Sequence, residues 1–575
     1  MRTRRVLWVG GLLTLLSLAA WAGPDQPEKA VDPEAPWAAG AMAAAANPHA
    51  VEAAMTMLRR GGHAVDAAIA AHAVLGLVEP QSSGIGGGAF MLVYERNTGE
   101  LIFHDGRETA PAGATPDMFM HDGEVMKFLR AWQGGVAIGV PGAVKLYEDA
   151  HRRHGKLPWQ DLFAPAIALA EQGFEVSPRL AGFLPRMRRP SRLDENPGSA
   201  EYFYPDGKPL QAGTRLKNPE YAATLGRIAR EGSVAFYTGE IAAAIAAVAQ
   251  RPPDPGSLSV KDIAAYRTVQ REAVCHQVAP LTLCGPTPPS SAAAVMMMYD
   301  LYARLAREKG ARADEIAAFV DAQRLAYADR DHFFGDPDAA DVPVGSLLSS
   351  DYLERRAMQR FEPGQVPVHG DPFRAEAALQ WAEDKTREVA GTSHLSIVDA
   401  EGNAVSMTAT VEAPFGSARW VAGFLLNNQM TDFARDYDGG SQANMVRPGM
   451  RPRSSMSPMM VFDDRGMLKM VTGSPGGNSI PAYVLKSLVG TFRWGLDLQD
   501  AVEFPNIIAR GETVRVEVSV EPGQALADDL KARGYKVQER QGENSGLHVI
   551  LLEDGVLQGA ADSRREGTIG YLAPD

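Results

Sequence analysis

The sequence lacks a low-complexity tract, an excess of positive charge and, after its first 22 residues, any apolar run long enough to span a bilayer. With 45% hydrophobic and 22% charged residues, a folded globular protein is expected rather than a disordered one. A net charge of −13 argues against nucleic acid as a partner and bears mainly on solubility. Zinc, EF-hand, P-loop and G-x-S-x-G patterns are missing as well, so the sequence predicts no metal site and no bound cofactor.

The N-terminal segment differs from the rest of the chain. Three arginines within the first five residues precede an apolar run that ends in Ala20-Trp21-Ala22, which is the layout of a signal peptide. The run is shorter than the ~20 residues that a membrane span requires, and an uncleaved anchor is the alternative. We expect residues 1–22 to be removed near Gly23 and the protein to be exported, to the periplasm or beyond the cell.

Cysteine is scarce, with Cys275 and Cys284 as its two positions. The Ala279-Pro280 pair between them favours a short hairpin, and an exported protein could oxidise the pair to a disulfide. Two reduced thiols are the alternative, because the sequence does not give their Cα separation. Nothing nearby would lower a thiol pKa, so neither cysteine is predicted to be catalytic.

Two patterns resemble ligand sites but have simpler explanations. The glycine cluster at residues 84–88 leaves a predicted helix, about Ala64 to Leu77, and enters a predicted strand, Phe90 to Tyr94, whereas a dinucleotide-binding loop leaves a strand and enters a helix. A tight turn is expected there. His151 and His154 lie one helical turn apart without a carboxylate or cysteine in sequence reach, so a solvated helix face is expected rather than a metal site.

The most informative segment begins at Gly391. Polar and apolar residues alternate from there to Asp399 and again from Ala404 to Thr410, on either side of the turn sequence Glu401-Gly402-Asn403, which predicts a β-hairpin. A loop centred on Glu401 places Thr410 opposite Thr392, within one residue if a bulge intervenes.

Thr392 is a candidate nucleophile if the Gly391–Thr392 bond is cut, and an ordinary strand start is the alternative that a single Gly-Thr pair leaves open. A threonine hydroxyl needs a base to take its proton, and a free α-amine on the same residue supplies one. The ordinary pKa of such an amine, about 7.7 to 8.0, suits a general base near neutral pH. The glycine before it tolerates the strained backbone in which the hydroxyl attacks the preceding carbonyl.

Several further segments occur in a fixed order along the chain. They are Thr392-Ser393-His394-Leu395-Ser396, Leu426 to Phe433, Arg451 to Pro458, Thr472 to Gly477 and, in the N-terminal half, Ser83 to Val93, Arg107 to Pro111, Gly139 to Gly142 and Pro288 to Ser291. Through them, nearly the whole mature chain resembles the γ-glutamyltransferase (glutathione hydrolase) family of N-terminal-nucleophile hydrolases. The resemblance implies self-cleavage before Thr392, and a heterodimer of a large subunit, residues 23–391, and a small subunit, residues 392–575.

The resemblance also implies a pocket for the head group of a γ-glutamyl substrate. Arg107, with the hydroxyls of Ser454 and Ser455, would bind the α-carboxylate. The α-ammonium would lie among Glu412, Gln429 and Asp432. The N–H groups of Gly476 and Gly477 would form the oxyanion hole, and Thr410 would orient the Thr392 hydroxyl.

The implied reaction passes a γ-glutamyl group from glutathione or another γ-glutamyl compound, through an acyl-enzyme on Thr392, to water, an amino acid or a peptide. The implied fold is α+β, a four-layer αββα sandwich whose two subunits share one core. No metal or organic cofactor is needed, and no stable membrane span is expected.

Two departures from the family pattern affect the substrate. Glu412 stands where many relatives have asparagine, and Gln429 where some have glutamate, while the segment from Phe433 to Arg451 is shorter than in relatives with a lid loop. The runner-up function is an acylase of the glutaryl or cephalosporin type, whose substrate lacks the α-ammonium. A catalytically inactive envelope-binding protein is the third reading, which the intact site residues disfavour.

Overall fold

The structure is a computed structural model that describes residues 40–306, 312–359, 361–373, 391–435 and 442–574, together with residues 381, 382, 384, 386, 388 and 389. The predicted signal peptide, residues 1–22, lies outside the described residues, as do residues 436–441 in the predicted short loop. Within the described ranges, no helix combines the length and the apolar composition that a membrane crossing needs.

The strands of the described chain run from near Gly40 to the C-terminal end. They are β1 (Ala41–Ala45), β2 (Gly88–Glu95), β3 (Glu100–Gly106), β4 (Met120–His121), β5 (Glu124–Val125), β6 (Phe174–Glu175), β7 (Arg215–Leu216), β8 (Val269–Val278), β9 (Leu281–Pro286), β10 (Gly391–Val398), β11 (Ala404–Glu412), β12 (Trp420–Val421), β13 (Phe424–Leu425), β14 (Met459–Phe462), β15 (Leu468–Thr472), β16 (Ile507–Arg510), β17 (Thr513–Glu517), β18 (Val537–Arg540), β19 (His548–Glu553), β20 (Val556–Ala561) and β21 (Thr568–Leu572).

Helices fill most of the chain between these strands, so the fold mixes helix and strand as the α+β prediction states. They are α1 (Pro48–Arg59), α2 (Ala64–Val78), α3 (Phe128–Gln133), α4 (Ala143–His154), α5 (Ala164–Gln172), α6 (Pro178–Ser191), α7 (Ser199–Phe203), α8 (Pro219–Glu231), α9 (Val234–Tyr237), α10 (Gly239–Ala249), α11 (Val260–Ala265), α12 (Ala292–Ala306), α13 (Arg312–Phe333), α14 (Val344–Leu347), α15 (Ser350–Met358), α16 (Ile480–Phe492), α17 (Leu498–Glu503) and α18 (Gly523–Ala532).

One continuous strand order organises the molecule: β20-β19-β15-β14-β9-β8-β3-β2-β11-β10-β1-β21. The long strand β8 joins the two halves of this order, because its residues 269–272 pair with β3 and its residues 273–278 pair with β9. The second of these pairings sets Cys275 opposite Cys284, and the two are joined by a disulfide.

The predicted hairpin is present as β10 and β11. Thr392 pairs with Thr410, and a register shift between Gly391 and Thr392 sets Gly391 opposite Glu412. The register derived from the loop centre is therefore confirmed, and the bulge lies next to the bond that the sequence marks for cleavage.

The two faces of this hairpin meet different surroundings. Leu395 and Met407 belong to a hydrophobic cluster shared with α1 and α2. Helix α2 is buried along nearly its whole length, because its own residues are mostly alanine, valine and leucine on all sides. On the opposite face, Ser396 donates to the carbonyl of His548 (2.8 Å) and Ser406 to that of Thr472 (3.0 Å). That face therefore lies against β19 and β15, which contribute with α12, α13 and α16 to a second hydrophobic cluster.

Candidate active site

Thr392 lies near the start of β10, between β11 and β1 in the strand order, and only 3% of the residue is exposed. Its Oγ1 donates to Oγ1 of Thr410 across the hairpin at 3.1 Å. The side chain points to the same face as Ser396, because strand residues two or four apart share a face. The uncut chain thus holds the hydroxyl in a fixed position inside the protein.

Thr410 connects the candidate nucleophile to the candidate cleavage site. Its hydroxyl donates to the carbonyl oxygen of Gly391 at 2.6 Å, and it accepts from the backbone N–H of Glu412 at 2.8 Å as well as from Thr392. A hydroxyl has one proton to donate and two lone pairs to accept with, so all of its hydrogen-bonding capacity is used. The donated bond polarises the carbonyl that Thr392 would attack.

Gly391 occupies a position that admits no side chain. A Cβ built on it would lie 2.4 Å from the carbonyl oxygen of Glu412 and 2.5 Å from the carbonyl carbon of Ala413. Both neighbours are backbone atoms of β11 or its end and have little freedom to move. The glycine is therefore required for the close approach of the two strands at the bulge.

Arg107 and Asp432, which the sequence assigns to the two ends of a substrate head group, contact each other directly. Arg107 Nη2 lies 2.7 Å from Asp432 Oδ2 and also donates to the carbonyl of Arg453. Gln429 Nε2 donates to the same Asp432 oxygen at 2.5 Å. A cation and an anion thus lie side by side in the protein interior.

Several acceptor atoms at this pair have no hydrogen-bond partner among the described residues: Gln429 Oε1, Asp432 Oδ1 and both carboxylate oxygens of Glu108. Burial raises the pKa of Asp432 to about 7, and the charge of Glu388 adds to the effect while Arg107 opposes it. Burial likewise raises the pKa of Glu108 to about 8, against the opposing charge of Arg107. Buried acceptors without donors are costly, and a bound cation would satisfy them.

Glu412 is occupied by the chain that precedes the candidate cut. Its Oε1 accepts from the backbone N–H of Val389 at 3.0 Å, and its Oε2 accepts from the side-chain amide of Asn428. Burial, followed by the charge of Asp432, raises the pKa of Glu412 well above its ordinary value. The residue sits beside the predicted ammonium site, but in the uncut chain it binds the protein's own backbone.

Ser454 and Ser455 lie close to Arg107 but have other partners. The Ser454 hydroxyl accepts from the N–H of Met456, and the Ser455 hydroxyl accepts from Arg330 Nη2 at 2.7 Å. The N–H of Ser455 donates to Glu388 Oε2 at 2.9 Å. The neighbourhood of Ser455 is therefore a carboxylate site, filled here by Glu388.

Arg330 completes that carboxylate site. It is fully buried and donates to Glu388 Oε1 at 2.6 Å, while Arg453 Nε lies 3.8 Å from the same oxygen. Burial alone would raise the pKa of Glu388, but the charges of Arg330 and Arg453 outweigh it and lower the pKa of this carboxyl. Sequence reasoning missed both Arg330 and Glu388, because Arg330 lies 58 positions from Glu388 and 125 from Ser455.

Gly476 and Gly477 lie in the turn between β15 and α16, with φ angles of 142° and 57°. Such φ values favour glycine. A Cβ at Gly477 would lie 2.7 Å from the carbonyl oxygen of Glu388, so the chain before the cut packs against the predicted oxyanion hole. The first N–H groups of α16 follow directly, and a helix start favours negative charge.

The expectation of a solvated helix face at His154 is wrong. His154 is buried, its Nδ1 contacts Glu95 Oε1, and its Nε2 lies 3.0 Å from Nε2 of His104. His63 joins the cluster with Nε2 at 3.2 Å from Glu95 Oε1. These partners come from β2, β3 and the start of α2, out of sequence reach. Because His63 Nδ1 accepts the N–H of Val65, its Nε2 carries the proton and donates toward Glu95 instead of offering a lone pair to a metal.

Comparison with known proteins establishes the family. A family model described as Gamma-glutamyltranspeptidase matches residues 50–572. The chain belongs to the γ-glutamyltranspeptidase family. The resemblance inferred from the motifs is thereby confirmed.

Two relatives show the breadth of this family. The glutathione hydrolase proenzyme of Bacillus subtilis (strain 168) is 34% identical over 544 residues, which cover 92% of this chain and 90% of the relative. The acylase ACY 1 proenzyme of Pseudomonas sp. (strain SE83) is 33% identical over 536 residues, covering 91% and 92%. Among solved structures, the cephalosporin acylase from Bacillus halodurans matches 98% of this chain and all of its own, with a TM-score of 0.80 and 24% identity, and this likeness concerns the fold alone.

Proposed function

We propose that this γ-glutamyltranspeptidase-family protein cuts itself between Gly391 and Thr392 and then acts as a γ-glutamyltransferase and glutathione hydrolase. The observation that carries the proposal is the position of the Thr410 hydroxyl, which is hydrogen-bonded both to the Thr392 hydroxyl and to the carbonyl of Gly391. One side chain thereby contacts the attacking atom and the bond that must break.

Self-cleavage follows from this arrangement. Thr392 Oγ1 attacks the carbonyl carbon of Gly391, its proton passes to Thr410, and the proton of Thr410 passes to the carbonyl oxygen. Collapse of the tetrahedral intermediate breaks the peptide C–N bond, the amine of Thr392 takes up a proton, and an ester remains. Water hydrolyses this ester and leaves Gly391 as a carboxylate and Thr392 with a free amine and hydroxyl.

The Arg107–Asp432 pair supports an α-amino acid head group as the substrate. Such a group carries an ammonium and a carboxylate on one carbon, and the site offers one anion and one cation side by side. The unpartnered oxygens of Gln429 and Asp432 supply acceptors for the ammonium. The guanidinium of Arg107, assisted by Ser454 and Ser455, supplies a planar donor pair for the carboxylate.

Turnover uses the freed amine as the base. It accepts the hydroxyl proton of Thr392 while Oγ1 attacks the γ-carbonyl, and the N–H groups of Gly476 and Gly477 stabilise the oxyanion. The amine portion, cysteinylglycine when glutathione is the donor, leaves with a proton. Water or the amine of an amino acid or peptide then releases the γ-glutamyl group from Thr392.

The wider organisation proposed for the protein is consistent with this chemistry. Residues 23–391 and 392–575 form a large and a small subunit that share one core in a four-layer αββα sandwich, which the contact of the β10–β11 face with β15 and β19 supports. Arg107 belongs to one subunit and Thr392 to the other, so neither is active alone. A signal peptide at residues 1–22 directs the protein to the periplasm or outside the cell.

Self-cleavage is tested by the intact mass of the denatured protein, for the wild type beside Thr392→Ala. We expect two wild-type fragments, the second beginning at Thr392, and one uncut variant chain. A wild type that remains a single chain after prolonged incubation rejects the mechanism and favours the envelope-binding alternative.

The acylase alternative is tested with a matched pair of donors, γ-glutamyl-p-nitroanilide and glutaryl-p-nitroanilide, which differ by the α-ammonium. We expect kcat/KM to favour the γ-glutamyl donor by ~10- to 100-fold, the effect of one hydrogen-bonded charge. Asp432→Asn should reduce this preference strongly. A wild type that prefers the glutaryl donor identifies an acylase.

A further inference from the structure

Arg565 contacts the candidate nucleophile from the turn between β20 and β21. Its Nη1 donates to the backbone carbonyl oxygen of Thr392 at 2.8 Å, and its Nη2 donates to that of Asn544 at 3.1 Å. The side chain is 4% exposed, and a Cβ built on Gly546 would lie 2.5 Å from its Cδ. The guanidinium is thus held tightly against the main chain of Thr392.

Among the residues that the structure describes, no carboxylate accepts a hydrogen bond from the guanidinium of Arg565. The nearby acids Glu79 and Asp562 are paired with other arginines, Glu79 with Arg179 at 3.2 Å and Asp562 with Arg564 at 3.0 Å. Burial, followed by the charge of Arg179, lowers the pKa of Arg565 to about 9. The group therefore remains a cation at neutral pH.

We propose that Arg565 is a positioning residue that fixes the main chain of Thr392 and whose positive charge keeps the freed α-amine unprotonated near neutral pH. The inference rests on the proposed function, because the amine exists only after cleavage. The amine nitrogen and carbonyl oxygen of one residue lie about 3 Å apart by covalent geometry, so the guanidinium is within about 6 Å of the amine. At an effective dielectric constant of ~20 to 40, a unit positive charge at that distance lowers the pKa of the α-amine by about one to two units.

Other titratable groups lie on the elements around Thr392 and Arg565. They are Glu412 on β11, Asp432 and Arg107 beside it, Glu388 and Arg330 at the carboxylate site, Tyr483 on α16, and His394 and His548 on β10 and β19. Burial lowers the pKa of both histidines, that of His548 to about 3, so they carry no charge at neutral pH. Burial raises the pKa of Glu412, which weakens its opposing negative charge, and the charge of Asp432 is offset by its ion pair with Arg107.

The consequence is a wider working range for the base. The amine must be neutral to accept the Thr392 proton, so the acid limb of the pH profile of kcat/KM reports its titration. A cation beside the amine moves that limb to lower pH. A side chain that only stabilised the fold would change the rate equally at every pH.

The test compares Arg565→Met and Arg565→Gln, which remove the charge, with Arg565→Lys, which keeps it. Each protein is first shown by mass to carry Thr392 as a new N-terminus, and kcat/KM for γ-glutamyl-p-nitroanilide is then measured from pH 5 to 10. We expect the acid limb of the two neutral variants to move up by about one pH unit, with the limb of Arg565→Lys near that of the wild type. An unmoved limb in the neutral variants overturns the inference.

A second measurement uses the wild-type enzyme and does not depend on the folding of a variant. Acetic anhydride is applied briefly at a series of pH values, and acetylation of the tryptic peptide Thr392–Arg419 is followed by mass spectrometry. We expect the amine to titrate below the ordinary range of about 7.7 to 8.0, and a midpoint within or above that range overturns the inference. A wild type that is never cut contradicts the proposed function itself, whereas a cut, active enzyme with an ordinary amine pKa contradicts only the role of Arg565.

Discussion

Replacing Thr410 with valine removes one oxygen atom and tests the proposed self-cleavage at its centre. In the uncut chain this oxygen donates to the Gly391 carbonyl, and it accepts from the Thr392 hydroxyl and the Glu412 N–H. Valine has a similar shape but makes none of these bonds. The attacked carbonyl then loses its polarising donor, and the nucleophile loses the group that receives its proton.

The expected effect is large. Removal of one preorganised donor from a developing oxyanion slows a reaction by ~100- to 1,000-fold, and loss of the proton acceptor adds to this. The N–H of Glu412, left buried and unpaired, costs about 1 to 3 kcal/mol of stability. Self-cleavage should therefore slow by at least ~100-fold while the protein still folds.

The assay is a time course of intact mass after purification, with circular dichroism to verify folding. Thr410→Ser is the matched control, because it restores the hydroxyl without the methyl group, and it should cleave within about tenfold of the wild type. Thr392→Ala provides the uncut reference. A folded Thr410→Val protein that cleaves within about threefold of the wild-type rate would refute the role given to this hydroxyl.

Three further outcomes are expected. Gly391→Ala forces a Cβ into the backbone of Glu412 at 2.4 Å, so the displaced bond should cleave on the order of 100-fold more slowly; mass analysis showing wild-type speed contradicts this. Arg107→Lys loses the planar guanidinium, so KM for γ-glutamyl-p-nitroanilide should rise ~10- to 100-fold with normal self-cleavage, and an unchanged KM refutes the carboxylate role. Burial raises the pKa of Glu108 from 4.5 to about 8 in the uncut chain. Between pH 4.5 and pH 8 the folded state therefore keeps a proton that the unfolded state releases, so the free energy of unfolding falls by about 1.4 kcal/mol per pH unit. Urea unfolding of Thr392→Ala should show this loss and Thr392→Ala/Glu108→Gln should show less of it; equal pH dependence in both proteins contradicts the burial argument.

Local patterns in the sequence are sufficient to predict the hairpin that carries the candidate nucleophile, Thr392. Alternation with a period of two and a three-residue turn signal determine both the strands and their register, so the pairing of Thr392 with Thr410 follows without any knowledge of the rest of the fold. The sequence allows for a bulge but does not give its position, which the structure places between Gly391 and Thr392. Its position depends on the approach of Ala413, which lies beyond the end of the pattern.

The contacts between distant segments could not be derived in this way. Arg107 and Asp432 are 325 positions apart, and only the family resemblance placed them in one pocket. The resemblance assigned them to different ends of a substrate, whereas the uncut chain pairs them with each other. At His154 the local pattern gives a wrong prediction. Its charged sequence neighbours indicate a solvated helix face, but β2 and β3 bury its ring.

The segment before the cut explains why several site residues have partners other than those that the motifs imply. Glu388 holds Ser455 and Arg330, and the N–H of Val389 holds Glu412. These contacts anchor the chain close to Gly391 and thereby help to hold the bulge against Thr410. They also occupy groups that a γ-glutamyl substrate would need, so self-cleavage and substrate binding make competing demands on the same pocket. In the proposed mechanism, hydrolysis of the Gly391–Thr392 bond resolves this competition, because it would separate the segment from the strand that positions it and give Thr392 a free amine as its base.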